Sequence, residues 1–181
     1  MAVLTRTLVD ELYEVDGKAE IVNGKIVKLM ATGFKPGRAA GLIYRSLGNY
    51  EDQYGGGFAI TDNSGFVVNL PHRGSFSPDV AWYTGRDTGM KFLEGAPAFA
   101  VEVRSENDYG RTAERELAKK RDEYFASGAL VVWDVDLLND EVIRMYTADD
   151  PDNPRIFYRG EIADAEPAVP GWRFEVDKLF S

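Results

Sequence analysis

Three charged residues occupy positions where the surrounding pattern predicts burial. Asp79 opens one predicted strand, Glu102 lies inside the next, and Lys120 lies in the helical segment that follows. Two carboxylates that converge in a partly buried cleft repel each other unless a cation neutralises them, and Mg²⁺ takes oxygen ligands of this kind. An aspartate followed by a glutamate about twenty residues later is nevertheless common by chance. The spacing alone is therefore weak evidence for a metal site. Further evidence must come from the strands and the helix that carry these residues.

Strand alternation places Glu102 and Arg104 on one face of their strand and Val101 and Val103 on the other. Glu102 and Arg104 could lie on a solvated face and pair with each other. Against this, a strand that leads into a crossover helix usually lies inside the sheet, covered on both faces, where an unpaired carboxylate is costly. Glu102 therefore needs a partner or a metal ion.

Lys120 lies on the apolar stripe of its helix. At about 100° per residue, Lys120 falls in the arc that contains Leu117 and Tyr124, whereas Lys119 points about a quarter turn away. Lys120 is therefore directed at the sheet and Lys119 at water. Two interpretations remain open: Lys120 extends past Leu117 and Tyr124 to the surface, or it belongs to a buried site.

The remaining pattern predicts an α/β fold with a mixed sheet flanked by helices. Thr7 can cap a short first helix, and Asn23-Gly24 joins two strands in a hairpin over residues 19–27. Further helices are predicted over residues 36–54 and 111–127, and a helical turn at 91–93. The other strands are predicted at 58–61, 65–70, 79–83, 98–104, 129–135, 141–146 and 155–161. The run of strand, helix and strand from residue 98 to 135 predicts a crossover that joins two parallel strands.

Length and composition predict one domain over residues 1–181, because 181 residues with 44% apolar content suit a single core. The chain has no cysteine, the segment from Met1 to Val15 has no signal-peptide core, and no segment could span a bilayer, so we expect a cytoplasmic protein with no membrane partner. The net charge of −9 argues against nucleic acid. However, the acids are concentrated after Asp134, and residues 25–50 carry five bases and no acid, so a basic face is compatible with this charge.

With these residues assembled, the chain resembles the Uma-type family of putative restriction endonucleases, within the PD-(D/E)XK nuclease superfamily. The resemblance rests on the order and spacing of residues 19–27 (AEIVNGKIV), 77–81 (SPDVA), 100–105 (AVEVRS), Lys120 with Tyr124, 128–136 (GALVVWDVD) and 170–174 (PGWRF). It implies a restriction endonuclease-like core with an N-terminal helix and β-hairpin extension.

The resemblance also implies roles for individual residues. Asp79 and Glu102 are expected to hold Mg²⁺, with Mn²⁺ as a substitute and the backbone carbonyl of Val103 as a further ligand. Lys120 takes the role of the motif lysine, which has moved from the strand to the helix, and orients the attacking water. Glu20 is expected to act as an outer ligand through water. The implied function is hydrolysis of DNA phosphodiester bonds, and cutting two antiparallel strands favours a homodimer.

Two departures from the family pattern keep a second hypothesis open. The lysine of the parent motif is replaced by Arg104, which cannot act as a base but could bind phosphate or pair with Glu102. The histidine expected near the start of the second helix is absent, and Arg38 is there as a candidate phosphate contact. The alternative is a catalytically inactive nuclease-fold module that binds nucleic acid or another protein.

Other polar residues favour structural roles. His72, the only histidine, lies in a polar turn over residues 71–74, which argues against a zinc site or a histidine-based nucleophile. Asp134 and Asp136 end an apolar strand and are expected in a turn or in salt bridges, with Asp134 near the site if strand ends line the cleft.

Overall fold

The computed structural model describes residues 6–181. Its helices are α1 (Leu8–Leu12), α2 (Phe34–Tyr54) and α3 (Arg111–Ala126), with a 3-10 helix over Val176–Phe180. Its strands are β1 (Ala19–Val22), β2 (Lys25–Lys28), β3 (Phe58–Thr61), β4 (Phe66–Leu70), β5 (Arg73–Phe76), β6 (Val80–Tyr83), β7 (Leu93–Glu94), β8 (Phe99–Val103), β9 (Val131–Val135), β10 (Ile143–Thr147), β11 (Asp150–Phe157), β12 (Ile162–Ala165) and β13 (Val169–Glu175). The mixed α/β architecture agrees with the sequence-based expectation.

A six-stranded sheet in the order β11-β10-β9-β8-β6-β3 forms the centre of the fold. Strands β8 and β9 are parallel and are connected through α3, whereas β6 pairs with β8 in the antiparallel sense. The predicted crossover between two parallel strands is therefore confirmed. Strand β8, which carries Glu102, has a neighbour on both sides and lies inside the sheet, as expected.

The two faces of this sheet are covered by different helices. On one face Val101 and Trp82 pack in the same core as Ile43 and Leu47 of α2. On the other face lie Ala81, Ala100 and Val132, in the same core as Tyr124 of α3. Alternation along β8 therefore turns Glu102 away from α2 and towards α3.

A second sheet, in the order β2-β1-β5-β4-β7, brings the N-terminal hairpin to the central sheet. The predicted turn is confirmed: Val22 pairs with Lys25, and Asn23 and Gly24 both have positive φ, at 50° and 69°, as the tight turn between them requires. Thr7 caps α1 through a reciprocal capping box with Asp10. This sheet positions β1 and β5 beside the start of β6.

Several local expectations were wrong. Residues 91–93 do not form a helical turn, because Leu93–Glu94 pairs as a strand with β4. The turn at 71–74 ends earlier than expected, since Arg73 begins β5. Strand β11 begins at Asp150 rather than at residue 155, so the acidic residues Asp150 and Asp152 belong to the strand that pairs with β10. The final pair, β12 and β13, was missed; its Trp172 and Phe174 pack against Trp133.

Within the described part of the chain, no helix is long and apolar enough to cross a membrane.

Candidate functional site

A row of charged residues crosses the α3-facing side of the central sheet. Glu102 of β8 is paired in register with Asp134 of β9, which is paired in turn with Arg144 of β10. Asp79 directly precedes Val80, the partner of Val101, and therefore lies at the neighbouring position beside Glu102. Four adjacent chain segments thus contribute one charge each to the same row. The approach of Asp79 to Glu102 was expected if their two strands are neighbours, and the pairing of β6 with β8 meets that condition.

Asp79 is buried and both of its carboxylate oxygens are bonded. Its Oδ2 accepts a hydrogen bond of 2.8 Å from the backbone N–H of Val103, and its Oδ1 lies 2.8 Å from Nζ of Lys18. Lys18 also lies 2.7 Å from Oδ1 of Asp62. Burial lowers the pKa of Lys18, but the charges of Asp79 and Glu102 outweigh it and the pKa is raised. Lys18 was missed in the sequence, although it lies two residues before Glu20, on the same face of an extended segment.

Glu20 is held in a buried position on β1. Its Oε2 lies 2.7 Å from Nη1 of Arg73, and its Oε1 accepts from the N–H of Ser77 at 2.9 Å and from Nζ of Lys120 at 3.0 Å. Burial raises the pKa of Glu20, yet the positive charges of Lys120 and Arg73 outweigh burial, so the pKa lies below its usual value. Glu20 is therefore an ionised anchor for Lys120. Arg73, which was assigned to a surface turn, is a buried member of this arrangement that also pairs with Glu123.

Lys120 joins the hairpin to the central sheet. Its Nζ lies 2.8 Å from Oε1 of Glu102 and 3.0 Å from Oε1 of Glu20. Only 17% of its side chain is exposed, against 45% for Lys119. Of the two interpretations left open by the sequence, the structure supports the buried site. Burial lowers the pKa of Lys120, but the negative charges of Glu102 and Glu20 raise it by more, so the net pKa is raised. Lys120 is therefore an ammonium at neutral pH.

Glu102 lies in a largely buried position beside Lys120 and two further carboxylates, Asp79 and Glu20. Its Oε1 accepts a hydrogen bond of 2.7 Å from the hydroxyl of Tyr124 in addition to the contact with Lys120. Burial raises its pKa, Lys120 lowers it, and the nearby charges of Asp79 and Glu20 raise it again, so that the pKa is higher than usual. Tyr124, which the sequence identified only as a companion of Lys120, is thus in direct contact with the candidate ligand.

The donors at this site fit a hard divalent cation. Among residues 6–181, no group of three or more Asp, Glu and His side chains converges as a complete metal-binding set. Mg²⁺ usually binds one or two carboxylates and keeps several waters or substrate oxygens, so Asp79 and Glu102 suffice. Burial, together with the neighbouring charges of Asp79 and Glu20, raises the pKa of Glu102, and a divalent cation at this position would favour its ionised form. The Val103 carbonyl as a further ligand stays a prediction.

Arg104 has different partners from those expected. Its Nε and Nη2 lie 2.7 Å and 2.6 Å from the two oxygens of Asp134, and it also pairs with Glu114 of α3. The alternative that Arg104 pairs with Glu102 is therefore wrong, since its carboxylate partners among the described residues are Asp134 and Glu114. The salt bridge expected for Asp134 is confirmed, but Asp134 lies within β9 and not in a turn. Because Arg104 is occupied by two carboxylates, the structure does not favour its role as a phosphate contact.

Arg38 and His72 lie away from the carboxylates. Arg38 is exposed on α2, the helix that covers the opposite face of the sheet from Glu102, and its Nε donates to the backbone oxygen of Ser181 at 2.6 Å. The structure therefore does not bring Arg38 to the site. His72 is exposed in the turn before β5, in agreement with a surface position.

Comparisons with known proteins agree with this architecture. A family model named Uma2 and described as "Putative restriction endonuclease" matches residues 8–177. The fold is similar to the crystal structure of a putative nuclease belonging to DUF820 from Anabaena variabilis, with a TM-score of 0.73, 15% sequence identity, and coverage of 95% of this chain and 96% of that chain. At this identity the likeness concerns the fold. No curated protein matches the chain significantly.

Proposed function

Since this chain belongs to the Uma2 family of putative restriction endonucleases, we propose that it is a Mg²⁺-dependent endonuclease that hydrolyses phosphodiester bonds of DNA. The observation that carries the proposal is that Lys120 contacts both Glu20 and Glu102, with Asp79 beside Glu102, in one mostly buried cluster built from separate elements. Buried charges whose pKa values are shifted both by desolvation and by specific charged partners are frequent at functional sites.

Asp79 and Glu102 are the proposed metal ligands, with the Val103 carbonyl as a third. Bound Mg²⁺ supplies a Lewis acid that lowers the pKa of water and offsets charge on a phosphate oxygen. The hydrogen bond from the Val103 N–H to Asp79 fixes that carboxylate, and the Tyr124 hydroxyl fixes Glu102. Both ligands are therefore oriented before any cation arrives.

Lys120 is proposed to orient the attacking water and to offset the charge that develops on the phosphate. Its raised pKa keeps it protonated at neutral pH, so it donates hydrogen bonds and does not act as a base. Glu20 holds Lys120 from the other side, through the contact at 3.0 Å. Glu20 therefore acts on the reaction mainly by positioning Lys120, in addition to its proposed role as an outer ligand through water.

Cleavage of supercoiled plasmid DNA tests this function. We expect nicking and linearisation by the wild-type protein with Mg²⁺ or Mn²⁺, and a rate lower by on the order of 100-fold or more in Glu102→Gln, because loss of a group that stabilises the transition state has effects of this size. Lys119→Met is the matched control, since Lys119 is adjacent in sequence and largely exposed. Wild-type protein that cuts no DNA, or cuts at the rate of Glu102→Gln, would contradict the proposal.

A second candidate is an inactive module of the same fold. It is favoured by one observation: Lys18 and Lys120 already provide positive charge to Asp79 and Glu102 without a metal. Titration of the protein with Mn²⁺ separates the two, because an inactive module of this kind gives no binding that depends on Asp79 and Glu102.

DNA as substrate also suggests a two-fold dimer. A pair of sites related by two-fold symmetry matches the antiparallel strands of a duplex. Light scattering after gel filtration, at micromolar concentration, would show a mass near twice 20.2 kDa. Monomer alone would exclude the dimer.

A further inference from the structure

Lys18 makes the closest cationic contact to Asp79. Its Nζ lies 2.8 Å from Oδ1 of Asp79 and 2.7 Å from Oδ1 of Asp62, and only 13% of its side chain is exposed. The lysine lies immediately before β1, and its backbone oxygen accepts from the N–H of Leu29, which ties its main chain to the hairpin. Lys18 is thus fixed at its base, with its ammonium placed between two carboxylates.

This contact involves the oxygen that Asp79 has available for a cation. The other oxygen, Oδ2, accepts the Val103 N–H at 2.8 Å, which holds the carboxylate against β8. An ammonium and a divalent cation at the same carboxylate oxygen repel each other and compete for its lone pairs. Lys18 must therefore weaken or leave its contact with Asp79 when Asp79 takes a divalent cation.

Asp62 offers the displaced ammonium a second acceptor. It lies in the turn after β3, its side chain is 40% exposed, and it already contacts Nζ of Lys18. A small rotation of the lysine side chain can exchange a shared contact for one with Asp62 alone, without leaving a charge unpaired. Lys120 has no comparable freedom, because both of its carboxylate partners, Glu20 and Glu102, are largely buried.

We propose that Lys18 is a displaceable counter-ion of Asp79, which neutralises the metal ligand in the metal-free protein and transfers to Asp62 when a divalent cation binds. The inference rests on the proposed function in taking Asp79 as a metal ligand. Lys18 and its second acceptor, Asp62, then have opposite effects: Lys18 opposes metal binding at Asp79, and Asp62 supports it by accepting the displaced ammonium. Lys18 is thus a counter-ion of the metal ligand and not a catalytic residue.

Calorimetric titration with Mn²⁺ tests this assignment without any activity measurement. Lys18→Met is expected to bind Mn²⁺ on the order of tenfold more tightly than wild type, the scale on which groups bonded to metal ligands change affinity. Asp62→Asn is expected to bind a few-fold more weakly, because the displaced ammonium has lost its acceptor. Lys119→Met removes one positive charge from the exposed side of α3 and is expected to leave the affinity within about twofold of wild type.

Mn²⁺ binding by the wild type and by Lys18→Met distinguishes failure of the counter-ion role from failure of the metal site. If wild-type protein binds Mn²⁺ and Lys18→Met binds it equally or more weakly, the counter-ion role is overturned while the metal site stands. If neither binds Mn²⁺, the metal site and the counter-ion role both fail. Lys18→Gln, which keeps a polar side chain, provides the same comparison should Lys18→Met not give a cooperatively folded protein. Equal tightening by Lys119→Met would show a general effect of charge and would also overturn the proposal.

Discussion

Two clusters of charge lie side by side on the same face of the sheet and are built in opposite ways. The lysine cluster consists of Lys18, Glu20, Asp62, Asp79, Glu102 and Lys120. The arginine cluster consists of Arg104, Glu114, Asp134 and Arg144. In the arginine cluster, the planar guanidinium of Arg104 bonds both oxygens of Asp134 at 2.6–2.7 Å. In the lysine cluster, each ammonium is a point charge shared between two carboxylates.

The raised pKa values in the two clusters have different causes. Arg104 has a raised pKa because Asp134 and Glu114 stabilise its positive charge, so its charge is compensated by partners within the cluster. Glu102 has a raised pKa because burial and the neighbouring acids outweigh Lys120. Only Val103 lies between Glu102 and Arg104 on the chain, yet the partners of Arg104 stabilise its charge whereas the surroundings of Glu102 disfavour its charge.

The largest effect on stability is expected from Arg104→Ala. This change leaves Asp134 buried without its bidentate partner, and the free energy of unfolding should fall by about 3–5 kcal/mol, as when one member of a buried ion pair is removed. Urea unfolding monitored by circular dichroism measures it. The double variant Arg104→Met/Asp134→Leu should recover most of the loss. A fall of less than about 1 kcal/mol in Arg104→Ala is typical of a weak surface ion pair, and it would contradict the structural role of the arginine cluster.

A smaller effect is expected in the pH dependence of stability. The folded-state pKa of Glu102 lies above its ordinary value of 4.5, so the folded protein holds this proton more tightly than the unfolded chain. The free energy of unfolding should therefore decrease through this group as pH rises from 4.5 through the raised pKa. Glu20 has the opposite sign: its contribution is present above 4.5 and is lost as pH falls through its lowered pKa.

Urea unfolding across this pH range separates the two carboxylates. Glu102→Gln should remove the decrease in the free energy of unfolding that Glu102 causes as pH rises above 4.5. It should leave the loss of stability that Glu20 causes as pH falls below 4.5. Because a carboxylate must be deprotonated to bind a metal, Mn²⁺ affinity of the wild type should also weaken on acidification at pH values above the ordinary range for glutamate. Parallel stability curves for the wild type and Glu102→Gln would contradict the raised pKa.

The sequence was sufficient where local periodicity determines the direction of a side chain. Alternation placed Glu102 on the face of its strand opposite Val101 and Val103, and the helical period directed Lys120 at the sheet and Lys119 at water. The hairpin followed from Asn23-Gly24, whose positive φ angles are needed in its turn. These features depend on a few neighbouring residues.

Long-range pairings could not be predicted in this way. Asp134 became the partner of Arg104 only through the parallel register of β8 and β9, and Lys18 reaches Asp79 across 61 positions of the chain. Arg73 was read as a surface residue because its segment is polar, although Glu20 and Glu123 bury it in an ion-pair network. Such residues carry no periodic signal, since their burial depends on a partner elsewhere in the sequence.

The central claim is that Asp79 and Glu102 form a metal site whose charges are balanced by lysines in the absence of the metal. A crystal structure of the wild-type protein soaked in Mn²⁺, with anomalous differences measured, tests it most directly. We expect an anomalous peak bonded to carboxylate oxygens of both Asp79 and Glu102, with Lys18 shifted towards Asp62. Mn²⁺ bound elsewhere, or no peak while Lys18 and Lys120 keep their contacts with both carboxylates, would contradict it.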